Sequence, residues 1–596
     1  MKKIYIVIAA LALSAGSFAQ TADSLLRRQM ELIREFNPTL SDADKINSLP
    51  ALREPSVRKA STNYSTWAGR ITPPLEIALP RPGNIMTAIP YSSKKGYLSF
   101  NAGNHANLDG IFGYHLIETE KNILDFSLLH SSTNGDINYV QDVDPASNRV
   151  FSMDNEGRLD YRHLADAFTL SLDLSYLSSL FNYYGNRFGN EPLYEDRNQS
   201  TGVLDVSAGI VSHESELLNY RGSVNLRNFC TKFGDRPDSG GIRGNEVNAT
   251  AGFEMPFDAM QSRLGLDGKL YSTFYGRDFS DYFLVNAAPY ITFGNPDEGY
   301  SARLGADVLF LLSGKTKVRV APNVKAHWAI TEQSSLYANI HGGFANNTFL
   351  EMMRESRYIR PDGNVRPSFT PVSVEAGAKI GEVSGFRFDI FGGFGKTDDE
   401  HFLILNGHDV SGEDVPGTYR EVLRPVYGDL SHGHIGTMIR SNILAPLDIS
   451  LRLKKNFYSL NYVSMEKIRT DELGVAEDIP GETGMEEPLI EEIRIDDARA
   501  YNKPGFEVDI RAVFGLTDYL KLTANYYFAG DRWSYYDGRN RRMDNISDFN
   551  AGALYLINDT FSINVRANNL FFRKYDIWYG HPAQGFNASG GFTFRF

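Results

Sequence analysis

From about Lys95 to the C-terminus, apolar and polar residues alternate along one short segment after another. In "FTLSLDLSY" (168–176), Phe168, Leu170, Leu172, Leu174 and Tyr176 fall on one side of an extended chain, and Thr169, Ser171, Asp173 and Ser175 on the other. "LDISLRLK" (447–454) and "FEVDIRAVF" (506–514) repeat the pattern, with acids and bases on the polar side. This period of two predicts antiparallel strands with one apolar and one polar face. Tight turns such as 119–121, 164–167, 444–446, 516–518 and 558–559 alternate with longer polar connections at 133–150, 185–201, 349–369, 397–426, 461–502, 531–545 and 573–585.

Segments running one way are expected near 96–105, 122–132, 168–184, 217–233, 261–276, 301–313, 334–347, 385–395, 447–460, 519–530 and 560–572. Their returns are expected near 107–118, 151–162, 202–214, 244–256, 282–294, 316–330, 370–383, 427–443, 504–515, 546–557 and 586–596. About 22 strands with alternating short and long connections predict an all-β membrane protein, an antiparallel transmembrane β-barrel over residues 96–596. Leu170, Leu172, Leu174, Ile449, Leu451, Leu453, Val508 and Ile510 are expected to face lipid. Asp173, Asp448, Arg452, Glu507, Asp509 and Arg511 are expected to face the lumen. Tyr183-Tyr184, Trp533 with Tyr535-Tyr536, and Trp578-Tyr579 are expected in the aromatic girdle at the membrane interface.

The N-terminus differs. "MKK" followed by "IYIVIAALAL" and "SAGSFAQ" reads as a signal peptide over 1–19, cleaved between Ala19 and Gln20. Residues 20–95 are expected to form a short periplasmic segment. They open with an amphipathic helix carrying Leu26, Met30 and Ile33 and turn proline-rich between Pro50 and Pro90. No later run is long and apolar enough for a membrane helix, and in lipid only helices and closed barrels satisfy their backbone.

The chain of 596 residues has a formal net charge of −13, which offers no basic excess for nucleic acid. Its single cysteine, Cys230, excludes an intramolecular disulfide. His432 and His434 in "SHGH" share a strand face but lack a ligand motif, so they read as polar lumen or loop residues. "DDEH" (398–401) and the acidic loop 477–497 match no EF-hand and read as solvated surface. No catalytic constellation, metal or cofactor is expected.

The final strands, "INVRANNLFFRKYDIWYGHPAQGFNASGGFTFRF", resemble the barrel end of TonB-dependent receptors. Phe592, Phe594 and Phe596 resemble the C-terminal signal by which outer-membrane barrels are assembled. The resemblance implies a barrel in the cell outer membrane. Residues 20–95 are too few for the family's plug, and no TonB box follows Gln20, so TonB is not expected as a partner. A plugless barrel with this signal peptide resembles an outer-membrane family of Bacteroidota. These features point first to a non-energised scaffold or accessory subunit. Its expected partners are outer-membrane lipids and other outer-membrane proteins or surface lipoproteins. The alternative is a receptor or channel for solute uptake.

Overall fold

The computed structural model describes residues 94–596, except 144–145, 186–197, 214–216, 235–239, 258–261, 277–280, 296–298, 314, 361–364, 384, 406–421, 442, 444–445 and 469–489. The signal peptide, the Ala19/Gln20 cleavage site, the amphipathic helix and the proline-rich stretch therefore lie outside the described residues.

Each of the 22 expected strands is present, from Gly96–Gly103 through Phe168–Asn182 and Leu447–Leu460 to Asn587–Arg595. Neighbours in sequence pair antiparallel, and the ring closes where the first strand pairs the last, from Tyr97 opposite Arg595 to Gly103 opposite Ser589. Closure leaves no edge strand, the one arrangement in which a sheet can stand in lipid with every backbone group bonded. Gly96 and Phe596 exchange N–H···O bonds of 2.9 Å each. The Phe596 ring stacks on Tyr114 (6.1 Å between centroids) and on Phe594 (5.6 Å). The terminal phenylalanines thus lie along the seam itself. A Cβ on Gly591 would sit 2.1 Å from the Phe100 carbonyl oxygen, so this close strand approach requires glycine there.

Residues directly opposite one another share a face, so the register extends the sequence pattern around the wall. Leu172 lies opposite Tyr161 and Ala208, and Leu451 opposite Ile439 and Ile510. The side chains of Leu172 and Leu174 are 43% and 42% exposed, an apolar surface that only lipid accommodates over this area. On the strand Lys315–Thr331, exposed outward residues run from Val318 and Val320 to Trp328 and Ile330. Those twelve steps span roughly 30 Å of membrane normal for a strand tilted by about 40°.

The opposite face carries the charges. Arg452 stands opposite Asp509, Asp173 accepts from Ser207 at 3.0 Å, and Asp267 joins Arg221 and Arg303. Cys230 is exposed on the outer side of its strand. Every long connection lies at the end opposite Lys94, where only the turns between Gly103 and Leu108 and between Ser313 and Lys315 are short, so the long loops mark the outer face.

The departures from expectation all lie at that outer end. The connection 349–369 contains a helix, Phe349–Glu355, and 461–502 contains a strand pair, Tyr462–Ile468 with Ile490–Asp496. The connection 531–545 contains a hairpin, Trp533–Tyr536 with Arg539–Arg542. The strand expected to end near 395 runs to Leu405, and its partner resumes at Leu423 rather than 427.

The expected aromatic girdle is corrected. Tyr183 and Tyr184 are buried, and Tyr535, Tyr536, Trp533, Trp578 and Tyr579 pack on buried clusters above the wall, not on lipid. A lipid-facing belt and a loop core select the same residues, so composition could not separate them. The aromatics exposed on the outer surface instead include Tyr176, Tyr300, Trp328, Tyr519, Phe571 and Phe572.

Two expectations follow. Leu172→Arg or Leu451→Arg, near mid-membrane, will destabilise the folded barrel by roughly 2–4 kcal/mol in a reversible folding assay, whereas Ser171→Arg or Ser450→Arg will cost much less. Gly591→Val will prevent seam closure, seen as loss of the heat-modifiable, detergent-resistant band on electrophoresis.

Candidate functional site

The described parts of the long connections pack together at the outer end of the barrel, beginning with a capped helix. Thr348 is the N-cap: its hydroxyl accepts from Glu351 N at 3.2 Å, and the Glu351 carboxylate accepts from Thr348 N at 3.2 Å. This reciprocal box was legible as Thr-x-x-Glu before an apolar run, a signal the reading of 349–369 as irregular chain missed. The helix buries Phe349, Leu350 and Met352 against Phe229, Ile242, Leu403, Leu423 and Tyr427.

The chain leaving the helix reaches strands far around the ring. Arg357 grips Asp154 with two hydrogen bonds, at 3.2 and 2.8 Å, across 203 residues of sequence. Such a bidentate guanidinium–carboxylate pair fixes orientation as well as distance. Next to it, Tyr358 packs edge-on to Phe181 (5.8 Å) and Tyr184 (5.0 Å) and stacks on His581 (5.2 Å). Tyr184 donates to the Pro582 carbonyl at 3.0 Å, tying in the loop before the last strand.

A second part of the cover is the extension of the strand Phe386–Leu405 and its partner Leu423–Ser441. On the outward face of the first, apolar positions end at Phe394, and Lys396 pairs Asp398 at 3.4 Å. An extra residue between Thr397 and Glu400 then forms a bulge, with Asp399 at φ +54°. Above it, both faces of the hairpin are buried. Leu403, Leu405, Leu423 and Tyr427 meet the helix; Phe402, Ile404, Val426 and Leu430 meet Val463, Met465, Ile495 and Tyr501. The unbroken run Phe402–Leu405 signals such two-sided burial within the connection 397–426 expected to be polar.

The polar residues singled out in the sequence occupy defined places. Asp399 pairs Arg366 at 3.1 Å, Glu400 pairs Lys503 at 2.6 Å and His401 pairs Glu355 at 2.6 Å, so the "DDEH" run is engaged with protein partners rather than solvated. Burial acts to raise the Glu355 carboxyl, but the hydrogen bond and charge of His401, with Lys503 beyond, hold it below its ordinary value. His432 and His434 face inward on one strand, stacked on each other at 5.4 Å, and His432 stacks on Tyr458 at 4.9 Å. His434 lies 3.7 Å from Glu375, and among the described residues no group of three potential metal ligands forms. The acidic stretch 477–489 lies outside the described residues.

Asp576, in the last outer loop, is 3% exposed and accepts from Gln141 and, at 2.9 Å, from Gly580 N. Burial raises its carboxyl to about 6, against the pull of these bonds and of Arg532. The folded loop thus holds a proton that an opened loop would release, so its closure weakens as pH rises from about 4 to about 6. Glu355, depressed, acts in the opposite sense, its contribution falling away as pH drops below the ordinary carboxylate range. Hydrogen exchange of residues 569–586 is expected to quicken between pH 4.5 and 6.5 after correction for intrinsic rates. Asp576→Asn will flatten that dependence.

No protein-family model matches the chain, and no curated protein matches it. Solved structures do. The ferric enterobactin receptor of Pseudomonas aeruginosa is similar with a TM-score of 0.60 at 12% identity, over 85% of this chain and 81% of that one. The ferric yersiniabactin uptake receptor of Yersinia pestis gives 0.57 at 12%, over 85% and 80%. A copper transporter, OprC, gives 0.56 at 12%, over 84% and 82%. The likeness is one of fold, and it bears out the expected closed antiparallel barrel.

Proposed function

We propose that this protein is an outer-membrane receptor or channel for uptake of a solute, with entry controlled at the outer mouth. The observation that carries the reading is the ordered cover. A polar-lined barrel of 22 strands is bridged at its outer end by side chains that join distant strands, above all Arg357 on Asp154. Inward side chains alone fill barrels only up to about 8 strands, so a wider lumen is either a passage or must be filled by another segment.

The similar solved proteins include siderophore receptors and a copper transporter, which supports uptake over the scaffolding role expected first from the sequence. The same likeness keeps TonB among the partners to test. The finer reading adds a signal peptide over 1–19 cut between Ala19 and Gln20, a plugless periplasmic segment over 20–95, and a source among Bacteroidota. Phe592, Phe594 and Phe596 are assigned as the assembly signal on the strength of their place at the seam.

Arg357→Ala leaves the largely buried Asp154 without its charge partner and with only the Ser179 hydroxyl, a cost of about 3 kcal/mol to the bridged outer end. Outer-membrane permeability to large antibiotics will rise in cells carrying this variant, and bilayer recordings will show longer open events. Uptake of candidate solutes, compared between cells with and without TonB, tests whether entry is energised. If deleting the gene changes no solute's uptake and the purified protein retains stoichiometric partners, the scaffolding role is the better account.

A further inference from the structure

The lumen face of the ring is not uniform in charge. On the neighbouring strands from Leu108–Glu118 to Phe168–Asn182, below the Arg357–Asp154 bridge, Asp109, Asp125, Glu156, Asp160 and Asp173 point inward. Among the described residues there, the inward cations are Arg158 and Arg162. Asp160 stands directly opposite both Asp125 and Asp173. On the strands from Lys315–Thr331 to Leu447–Leu460 the sign reverses. Lys317, Arg319, Lys325, Lys379, Arg452 and Lys454 face inward against Glu375, Asp389 and Asp448. Near the inner end Arg387 stands opposite Arg440. Half of the ring separates the middles of the two groups, so they face each other across the lumen.

The strands between them are balanced. On one side Arg227 pairs Asp205 at 3.4 Å and Glu246 at 3.5 Å, Arg263 pairs Glu254 at 3.2 Å, and Asp267 joins Arg221 and Arg303. On the other Arg511 pairs Asp509 at 2.9 Å, and Lys521, Arg566 and Asp548 mix the signs. Like charges directly opposite one another weaken a sheet, so the rows Asp125–Asp160–Asp173 and Arg387–Arg440 cost the wall stability. A solute that brings the opposite charges offsets that cost.

We propose that the lumen is polarised across its width and takes solutes of peptide size that carry separated positive and negative groups. The size follows from screening. Strands about 4.8 Å apart and tilted by about 40° put opposite backbones of a 22-strand ring roughly 40 Å apart. The Debye length at physiological salt is about 8 Å, so each wall acts only on charges close to it. A small zwitterion senses one wall at a time and is not oriented. A longer solute meets both, with its cationic groups along strands 108–182 and its anionic groups along strands 315–460.

This inference deepens the uptake reading and rests on it, and its test separates the two. The purified barrel in nanodiscs is offered four fluorescent peptides of about ten residues, roughly 30 Å when extended. One carries lysines at one end and glutamates at the other; the others carry lysines only, glutamates only, or no charge. The bipolar peptide is expected to bind about tenfold more tightly than the uncharged one. That gain will vanish in about 1 M salt, where the Debye length is about 3 Å. Asp160→Asn with Asp173→Asn will weaken the bipolar and lysine peptides and spare the glutamate peptide. Arg319→Gln with Lys325→Gln will do the reverse, and Glu254→Gln with Arg263→Gln, in the balanced strands, will change none. Heat-modifiable mobility confirms that each variant is folded. Failure of every peptide to bind, a bipolar peptide no tighter than both single-sign peptides, or face variants that behave like the balanced control would overturn the proposal. If binding follows the expected pattern while cells with and without the gene accumulate the bipolar peptide equally, the polarised lumen stands and the uptake reading falls. If deleting the gene abolishes uptake of a solute but the four peptides bind alike, the uptake reading stands and the polarised lumen falls.

Discussion

The ring of backbone hydrogen bonds governs everything else in this protein. In hydrocarbon an unpaired amide costs several kcal/mol, so a sheet crossing the membrane must close on itself. Here the first and last strands meet at Gly96 and Phe596, and the small residues of the last strand permit the approach that Gly591 shows most sharply. Once the ring is closed, each strand has only two faces to offer, lipid and lumen. The strict alternation of Leu with Ser, Asp or Arg follows from that choice.

The same constraint relaxes above the membrane. Once the outward face of a strand leaves lipid it needs another cover, and the hairpin beyond Asp399 finds it in protein on both sides. The outer loops therefore behave as a small globular core laid over the mouth. Among the described residues it has a capped helix, short strand pairs and aromatic contacts of its own. Charge pairs such as Arg357–Asp154 tie this core to strands far apart in the ring. Opening it disturbs contacts around the whole mouth.

Much of the wall was legible in the sequence. Alternation at 168–176, 447–454 and 506–514 located strands whose bounds agree within a few residues, because lipid on one side and water on the other impose a period of two. The cover was largely illegible. Phe402–Leu405 lacks alternation, and Thr348–Glu351 marks a helix of only seven residues. Tyr183, Tyr184, Trp533 and Trp578 suit a membrane belt as well as a loop core.

By itself the sequence determined the strand number, the face each strand turns to lipid and the closing aromatic strand. All of these depend on local alternation and on a solvent that changes across one strand. Only the tertiary structure decided that Asp399, Glu400 and His401 meet three separate partners and that Arg357 reaches Asp154. It also decided that the outer aromatics turn inward over the mouth. Those pairings join residues up to hundreds of positions apart, where the register of a closed ring, and no local period, sets who meets whom.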